Sequence, residues 1–306
     1  MSAAHIARLT DRGVVSVTGR DSEKLLQGLI TNDLEQVAPG ATPYPAHHAA
    51  LLSPQGKILF DFFVVRVADG YVLDVDRAKA AELVKRLAMY KLRADVAIAD
   101  ASSRYTIFAI WGDGAAARVE AGGGIRFADP RHPLIGLRLL AEAKAGDTFA
   151  DEPRDNEASH LAYDAERVRL GIPEGGKDYA FGDAYPHEAN FDLLHGVSFT
   201  KGCYVGQEVV ARMQNKTIVR KRVVKITAPA ALTSGTDVLL GEAPIGRIGT
   251  VDGTNAPAML RLDRAVEAEQ KSQKLTAGGI VVRPDAEALA HYIATTAARP
   301  ASALHT

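Results

Sequence analysis

The chain has 306 residues, 47% of them hydrophobic, a formal net charge of −1 and a single cysteine. Near-neutrality gives no global field for nucleic acid or an acidic membrane surface, and 306 residues suffice for two or three compact units. One cysteine excludes an intrachain disulfide and an all-cysteine metal site, and it fits a reducing compartment.

MSAAHIARLTDRGVV lacks an apolar h-region, and no apolar run reaches the roughly 20 residues of a spanning helix. The expectation is a soluble cytoplasmic protein, monomeric by default, with no membrane contact. VVSVTG (14–19) predicts a strand. DSEKLLQGLITNDL (21–34) predicts an amphipathic helix capped by Asp21 or Ser22. AHHAALLS (46–53) and GKILFDFFVVRV (56–67) read as strands joined by SPQG, and Asp69-Gly70 turns the chain into a further hairpin strand. Residues 77–92 carry helical spacing, and 96–100 and 104–112 return to strand. This alternation predicts an α+β fold. The polar stretch 145–158 reads as a surface crossing, 164–176 as a helix end running into a long loop, and 206–214 as a helix start. Short β-type segments with glycine turns over 218–285 predict a small β-barrel or sandwich after a body spanning 1–217. The alanine-rich tail 286–306 reads as a fraying helix without a site.

Cys203 in KGCYVGQE (201–208) is the first candidate for chemistry. A thiolate is favoured by a nearby cation and by a helix N-terminus, which Lys201 and the helix after Gly206 would supply. A small buried apolar residue is the alternative. Gly202 and Gly206 would allow unusual backbone geometry, and Gln207 and Glu208 suit a helix N-terminus. Asp61 inside ILFDFFVV reads as paired or facing a cavity, with the wet face of an alternating strand as the alternative, although Phe60, Phe62 and Phe63 crowd that pattern. His47 and His48 point to opposite faces of a strand and form a poor metal pair. Arg220-Lys221-Arg222 is a cationic run, but the neutral chain argues against direct nucleic-acid binding. No hydrolase, P-loop or Rossmann motif is present, and no metal site is expected.

KGCYVGQEVVAR (201–212) resembles the K-G-C-[FY]-x-G-Q-E signature of the YgfZ family of folate-binding proteins, relatives of the glycine-cleavage T-protein (aminomethyltransferase). GRDSEKLLQGLITNDL (19–34) is similar to that family's N-terminal segment, and GIPEGGKDYAFGDAYPHEANFD (171–192) resembles the subgroup with the mitochondrial iron–sulfur assembly factor. The resemblance implies an interwoven α/β body with a ferredoxin-like subdomain, a C-terminal β-barrel, and tetrahydrofolate in a central channel. It implies assembly or repair of iron–sulfur clusters, with iron–sulfur client enzymes or cluster carriers as partners, tRNA-methylthiolating enzymes among them. Cys203 carries over as the functional residue, with Lys201, Gly202, Tyr204, Gly206, Gln207 and Glu208 around it. Tyr163 and Arg169 match folate-lining positions, and Asp61 matches one acid of the T-protein's Asp-Asp pair, with Phe60 in place of the other. A folate-dependent one-carbon transferase is the alternative.

Overall fold

A computed structural model of the chain describes residues 4–35, 44–115, 124–142, 157–216 and 218–297. The predicted crossing at 145–158 lies outside these residues except for 157–158. The chain divides into two compact units. The first is Met1–Pro54, Ile58–Tyr163 and Leu193–Val205; the second is Gln55–Lys57, Asp164–Asp192 and Gly206–Thr306. The units therefore do not divide at the expected 217/218 boundary.

The first unit holds two antiparallel sheets. One is four-stranded, in the order β1 (His5–Arg8), β7 (Tyr105–Trp111), β9 (Leu137–Glu142) and β8 (Ile125–Ala128). The other is five-stranded, in the order β3 (Ala46–Leu52), β4 (Ile58–Val67), β5 (Gly70–Asp76), β2 (Arg12–Thr18) and β6 (Ala97–Asp100). Successive strand residues alternate faces, so register sorts the side chains. Phe60, Phe62, Val64, Leu73, Val75, Val15 and Val17 share one face and bury a core with α1 (Ser22–Gln27) and α2 (Ala80–Lys91). His48 and Asp74 flank Phe63 in register, Asp61 lies two residues from Phe63, and these occupy the opposite face.

The helix predicted over 21–34 stops at Gln27. Beyond it, side chains compete for the backbone: Gln27 Oε1 accepts from Leu34 N–H, Asn32 Oδ1 from Asp33 N–H, and Asp33 Oδ1 from Glu35 N–H. Asp21 makes no cap bond to its helix; its Oδ2 accepts instead from the Asp95 amide at 2.8 Å.

The second unit contains a closed six-stranded barrel: β10 (Lys221–Thr227), β13 (Asn255–Arg261), β12 (Ala243–Ile248), β11 (Asp237–Leu240), β14 (Leu275–Ala277) and β15 (Ile280–Pro284). β15 returns to β10 at Pro284–Ile226 and closes the ring. The helix α3 (Glu157–Leu170) leads into this unit, which also contains α4 (Gln207–Asn215), α5 (Leu262–Gln270) and α6 (Ala286–Ala297). The tail is more than a frayed end as far as Ala297, because Leu289 of α6 is buried in the barrel core.

The loop 171–192 belongs with the barrel because it is bonded to it. Arg167 of α3 is fully buried and pairs with Asp164 at 2.7 Å, Glu174 at 3.0 Å and Asp178 at 3.0 Å. Asp178 Oδ1 in turn accepts from the Thr250 amide at 2.7 Å. Val223 N–H donates to Glu188 O at 2.8 Å, and Arg222 grips Asp192 at 2.8 and 2.9 Å. Burial alone would lower the Arg167 pKa, but Glu174, Asp178 and Asp164 together raise it.

Candidate functional site

Two sequence blocks meet in the first unit. The segment 193–205, which carries Cys203, lies along residues 27–32 and the start of β3. Thr31 is fully buried; its hydroxyl donates to Gly196 O at 2.6 Å and accepts from the Ala50 amide at 2.9 Å. The Ser198 amide donates to Thr31 O at 2.9 Å. Asn32 Nδ2 donates to His48 O at 2.8 Å and His195 O at 2.7 Å. His48 Nδ1 lies 3.3 Å from Leu194 O.

Lys201 completes the clasp. Its Nζ donates to the carbonyls of Gln27 at 2.9 Å, Ile30 at 2.8 Å and Asn32 at 2.7 Å. An ammonium has three N–H donors, and all three are used where the chain leaves α1. Burial pushes the Lys201 pKa down to about 8, against the pull of Asp33 and Glu35. Its placement two residues before Cys203 had marked it as the thiol's cation. The structure gives it a different role, since its charge faces carbonyls and it holds the loop down.

Cys203 itself is exposed, which sets aside the buried apolar reading. Gly202 beside it is also exposed; a Cβ there would meet nothing within 4 Å, so neither space nor a positive φ demands glycine. Tyr204 is buried, with Lys201 Nζ 5.2 Å from its ring centroid, and burial raises its pKa. The rest of the signature falls in the second unit. Gly206 has φ 83°, the left-handed conformation that favours glycine, and opens α4 as its N-cap. Gln207 starts that helix, and Glu208 stands exposed in its first turn, where an acid suits the macrodipole.

The other assigned residues separate as well. Asp61 is buried on the polar face of the five-stranded sheet. Tyr163 is buried, and its hydroxyl accepts from Arg138 Nη2 at 2.8 Å and Arg131 Nη2 at 3.2 Å. Arg169 is a surface residue held by Glu166 at 2.6 and 2.8 Å, which also raises its pKa. The cationic run 220–222 divides: Arg222 is buried on Asp192, Lys221 faces Asp183 at 3.6 Å, and Arg220 is exposed. It is not a continuous basic face.

Sequence reading missed the layer around Tyr163. Arg12 binds Asp74 at 2.7 Å, Arg138 binds Asp74 at 3.2 Å, and Arg131 binds Asp129 at 2.7 and 3.0 Å. These five groups are all buried. The guanidiniums of Arg131 and Arg138 each lie 4.8 Å from the Phe63 centroid, that of Arg12 5.9 Å. Burial would raise the Asp129 pKa, but Arg131 and Arg138 hold it below the usual carboxylate value. Burial and then the Arg131 charge push His48 down to about 3, so it is neutral. The only available signal was an ionic residue in an apolar run, as in LRLL for Arg138.

Comparison with known proteins fits this architecture. Residues 2–124 match the GCVT N-terminal domain family, and residues 220–291 match the CAF17 C-terminal beta-barrel domain family. The glycine cleavage system aminomethyltransferase T of Bartonella henselae superposes with a TM-score of 0.75 over 94% of this chain and 86% of that one, at 14% identity, which shows a shared fold. The iron–sulfur cluster assembly factor IBA57 homolog of Mycosarcoma maydis is 36% identical over 72% of this chain and 57% of its own length. That of Coccidioides immitis is 32% identical over 73% and 56%. The chain thus spans little more than half of these two relatives. All of these factors are named mitochondrial, which overturns the expected cytoplasmic location. A low cysteine count indicates a reducing compartment without saying which one. The human iron–sulfur cluster assembly factor IBA57 is 32% identical over 83% of this chain and 76% of its own, and on that match the chain belongs to the IBA57 family.

Proposed function

We propose that this chain assists the assembly or repair of iron–sulfur clusters, with Cys203 as a transient cluster ligand. The observation that carries this is an exposed thiol on a segment fastened from beneath by Lys201, Thr31 and Asn32. A clasped loop holds the thiol in place while leaving Sγ open to a partner. Such clusters are commonly held by four thiolates, so one cysteine can hold cargo only while a partner supplies the others. In this reading Cys203 Sγ displaces one carrier thiolate from an iron of the incoming cluster, giving its proton to that leaving thiolate, and is in turn displaced from the iron by a thiol of the client, whose proton it takes. No electron is gained or lost. Radical enzymes that methylthiolate tRNA are proposed clients. In a deletion strain, wild type should restore iron–sulfur enzyme activity and Cys203→Ala should not. Full rescue by Cys203→Ala would remove the thiol's role.

A YgfZ-like tetrahydrofolate site is the finer part of the proposal. A pterin edge offers N–H donors that suit a carboxylate, and a glutamate tail suits cations. Asp61, buried on the same sheet face as Phe63, fits the first need. Lys201 and Arg169 fit the second poorly, since one spends its three donors on carbonyls and the other lies on the surface with Glu166. Bound folate would supply a one-carbon carrier; the chain's part would be to bind and orient it through Asp61 with Tyr163 as a wall. Anaerobic calorimetry should show saturable binding, weakened at least tenfold by Asp61→Asn. No binding by folded wild type would remove the folate site and leave the thiol reading standing. Aminomethyl transfer is less favoured, because Phe60 lies in the apolar core on the face opposite Asp61 and supplies no second acid.

A further inference from the structure

We infer that the C-terminal end of α2 is a docking surface for an acidic protein, separate from the Cys203 segment. Leu92 is 87% exposed and Met89 69%, three residues apart, so both bulky apolar side chains stand in solvent. Leu92 also has φ 48° and ψ −111°, a backbone conformation that costs an L-residue and that packing does not repay here. Lys85, Arg86, Lys91 and Arg93 surround this tip, exposed or partly exposed, and their side chains make no ion pair or hydrogen bond among the described residues. Four uncommitted cations stand out on a chain of net charge −1.

A depression lies beside Asp95, three residues past Leu92. Its volume is about 540 Å³, lined by Thr18, Arg20, Glu23, Arg66, Asp69 and Tyr71 among others. Residues 20–21 tie it to the end of α2: the Asp21 amide donates to Asp95 O at 3.2 Å, and Arg20 reaches Asp95 at 3.8 Å. The surface therefore combines an apolar knob flanked by four cations with a hollow able to take a side chain, in which Arg20 and Arg66 stand with Glu23 and Asp69. Met and Arg are residue types enriched at protein interfaces.

Charge complementarity selects the occupant. A second copy would set these cations against themselves in a two-fold contact. A phosphate backbone has no use for Met89 and Leu92. A bilayer would be expected to engage exposed aromatic anchors, and Phe199 is the only aromatic among the large exposed hydrophobics of the described residues, far along the chain. What fits is a protein face with carboxylates around an apolar side chain that enters the hollow.

The test uses the full chain with a photocrosslinking amino acid in place of exposed Ala88, expressed in its own cells. The crosslinked partner is then purified and titrated calorimetrically. The expected partner has an acidic face, and its Kd should weaken with salt and at least tenfold with Leu92→Gly and with Arg93→Glu. Leu92→Gly also relaxes the positive φ, so its Tm should equal or exceed wild type, which separates lost docking from lost folding. Vesicles containing phosphatidylserine and a short RNA duplex are titrated in parallel. Tight binding to either, a crosslink only to a second copy, no crosslink, or wild-type affinity in both variants would each overturn the inference.

Discussion

Replacing Lys201 with Met keeps an unbranched apolar stem and removes the ammonium, so it isolates the clasp. Three acceptors lose their donor. The bond to Ile30 O is buried, and an unsatisfied buried acceptor costs about 1–3 kcal/mol. The bonds to Gln27 and Asn32 are partly buried, so water replaces them at about 0.5–1 kcal/mol each. Relief from burying a charge offsets part of the sum, leaving about 2–3 kcal/mol. The loss should appear first as local opening of the 193–205 segment rather than global unfolding. Ser198 N–H, which donates to Thr31 O, reports that opening. At about 1.4 kcal/mol per decade, its hydrogen exchange should accelerate about 30- to 150-fold. The assay is hydrogen exchange by mass spectrometry over residues 193–205, with urea unfolding alongside. Exchange within threefold of wild type and stability within about 0.5 kcal/mol would refute the clasp. Iron–sulfur complementation by the same variant should fall even though Cys203 is intact.

Thr31→Val is nearly isosteric but strands the Ala50 amide and the Gly196 carbonyl; it should cost about 2–4 kcal/mol in urea unfolding, and Thr31→Ser should recover most of it. Arg167→Met strips buried Asp178 of its counterion and Glu174 of the nearer of two, Lys177 standing at 3.6 Å, so the second unit should lose about 3–5 kcal/mol, read as a lower Tm. His48 gives a pH dependence of definite sign. Its folded pKa is about 3 and its ordinary value 6.5, so the unfolded chain takes up a proton first as pH falls. Stability is therefore retained above about 6.5 and lost below it, by about 2 kcal/mol at pH 5 from this group alone. His48→Asn should flatten that part of the stability–pH curve; an unchanged slope would show that His48 does not titrate as a buried neutral group.

Local pattern decided much of this protein. The aromatic and β-branched run ILFDFFVVRV, glycine turns after 218 and helical spacing over 77–92 produced β4, the barrel and α2, because each depends on neighbours within a few residues. The signature likewise picked out the one thiol, and Gly206 has the positive φ that such a position demands. Other features turned on partners far along the chain. The helix at 21–34 ends at Gln27 because the side chains of Gln27, Asn32 and Asp33 and distant Lys201 take over its backbone groups. Lys201 reads as a cation for Cys203 by adjacency, yet its three donors go to carbonyls some 170 positions earlier. In RVRL the two arginines look equivalent. The turn of α3 exposes Arg169 and buries Arg167 among three carboxylates, which a spacing of two residues cannot reveal. Periodicity records which face of an element is apolar. Where a long polar side chain spends its hydrogen bonds depends on which distant backbone the fold brings within 3 Å, and only the tertiary structure decides that.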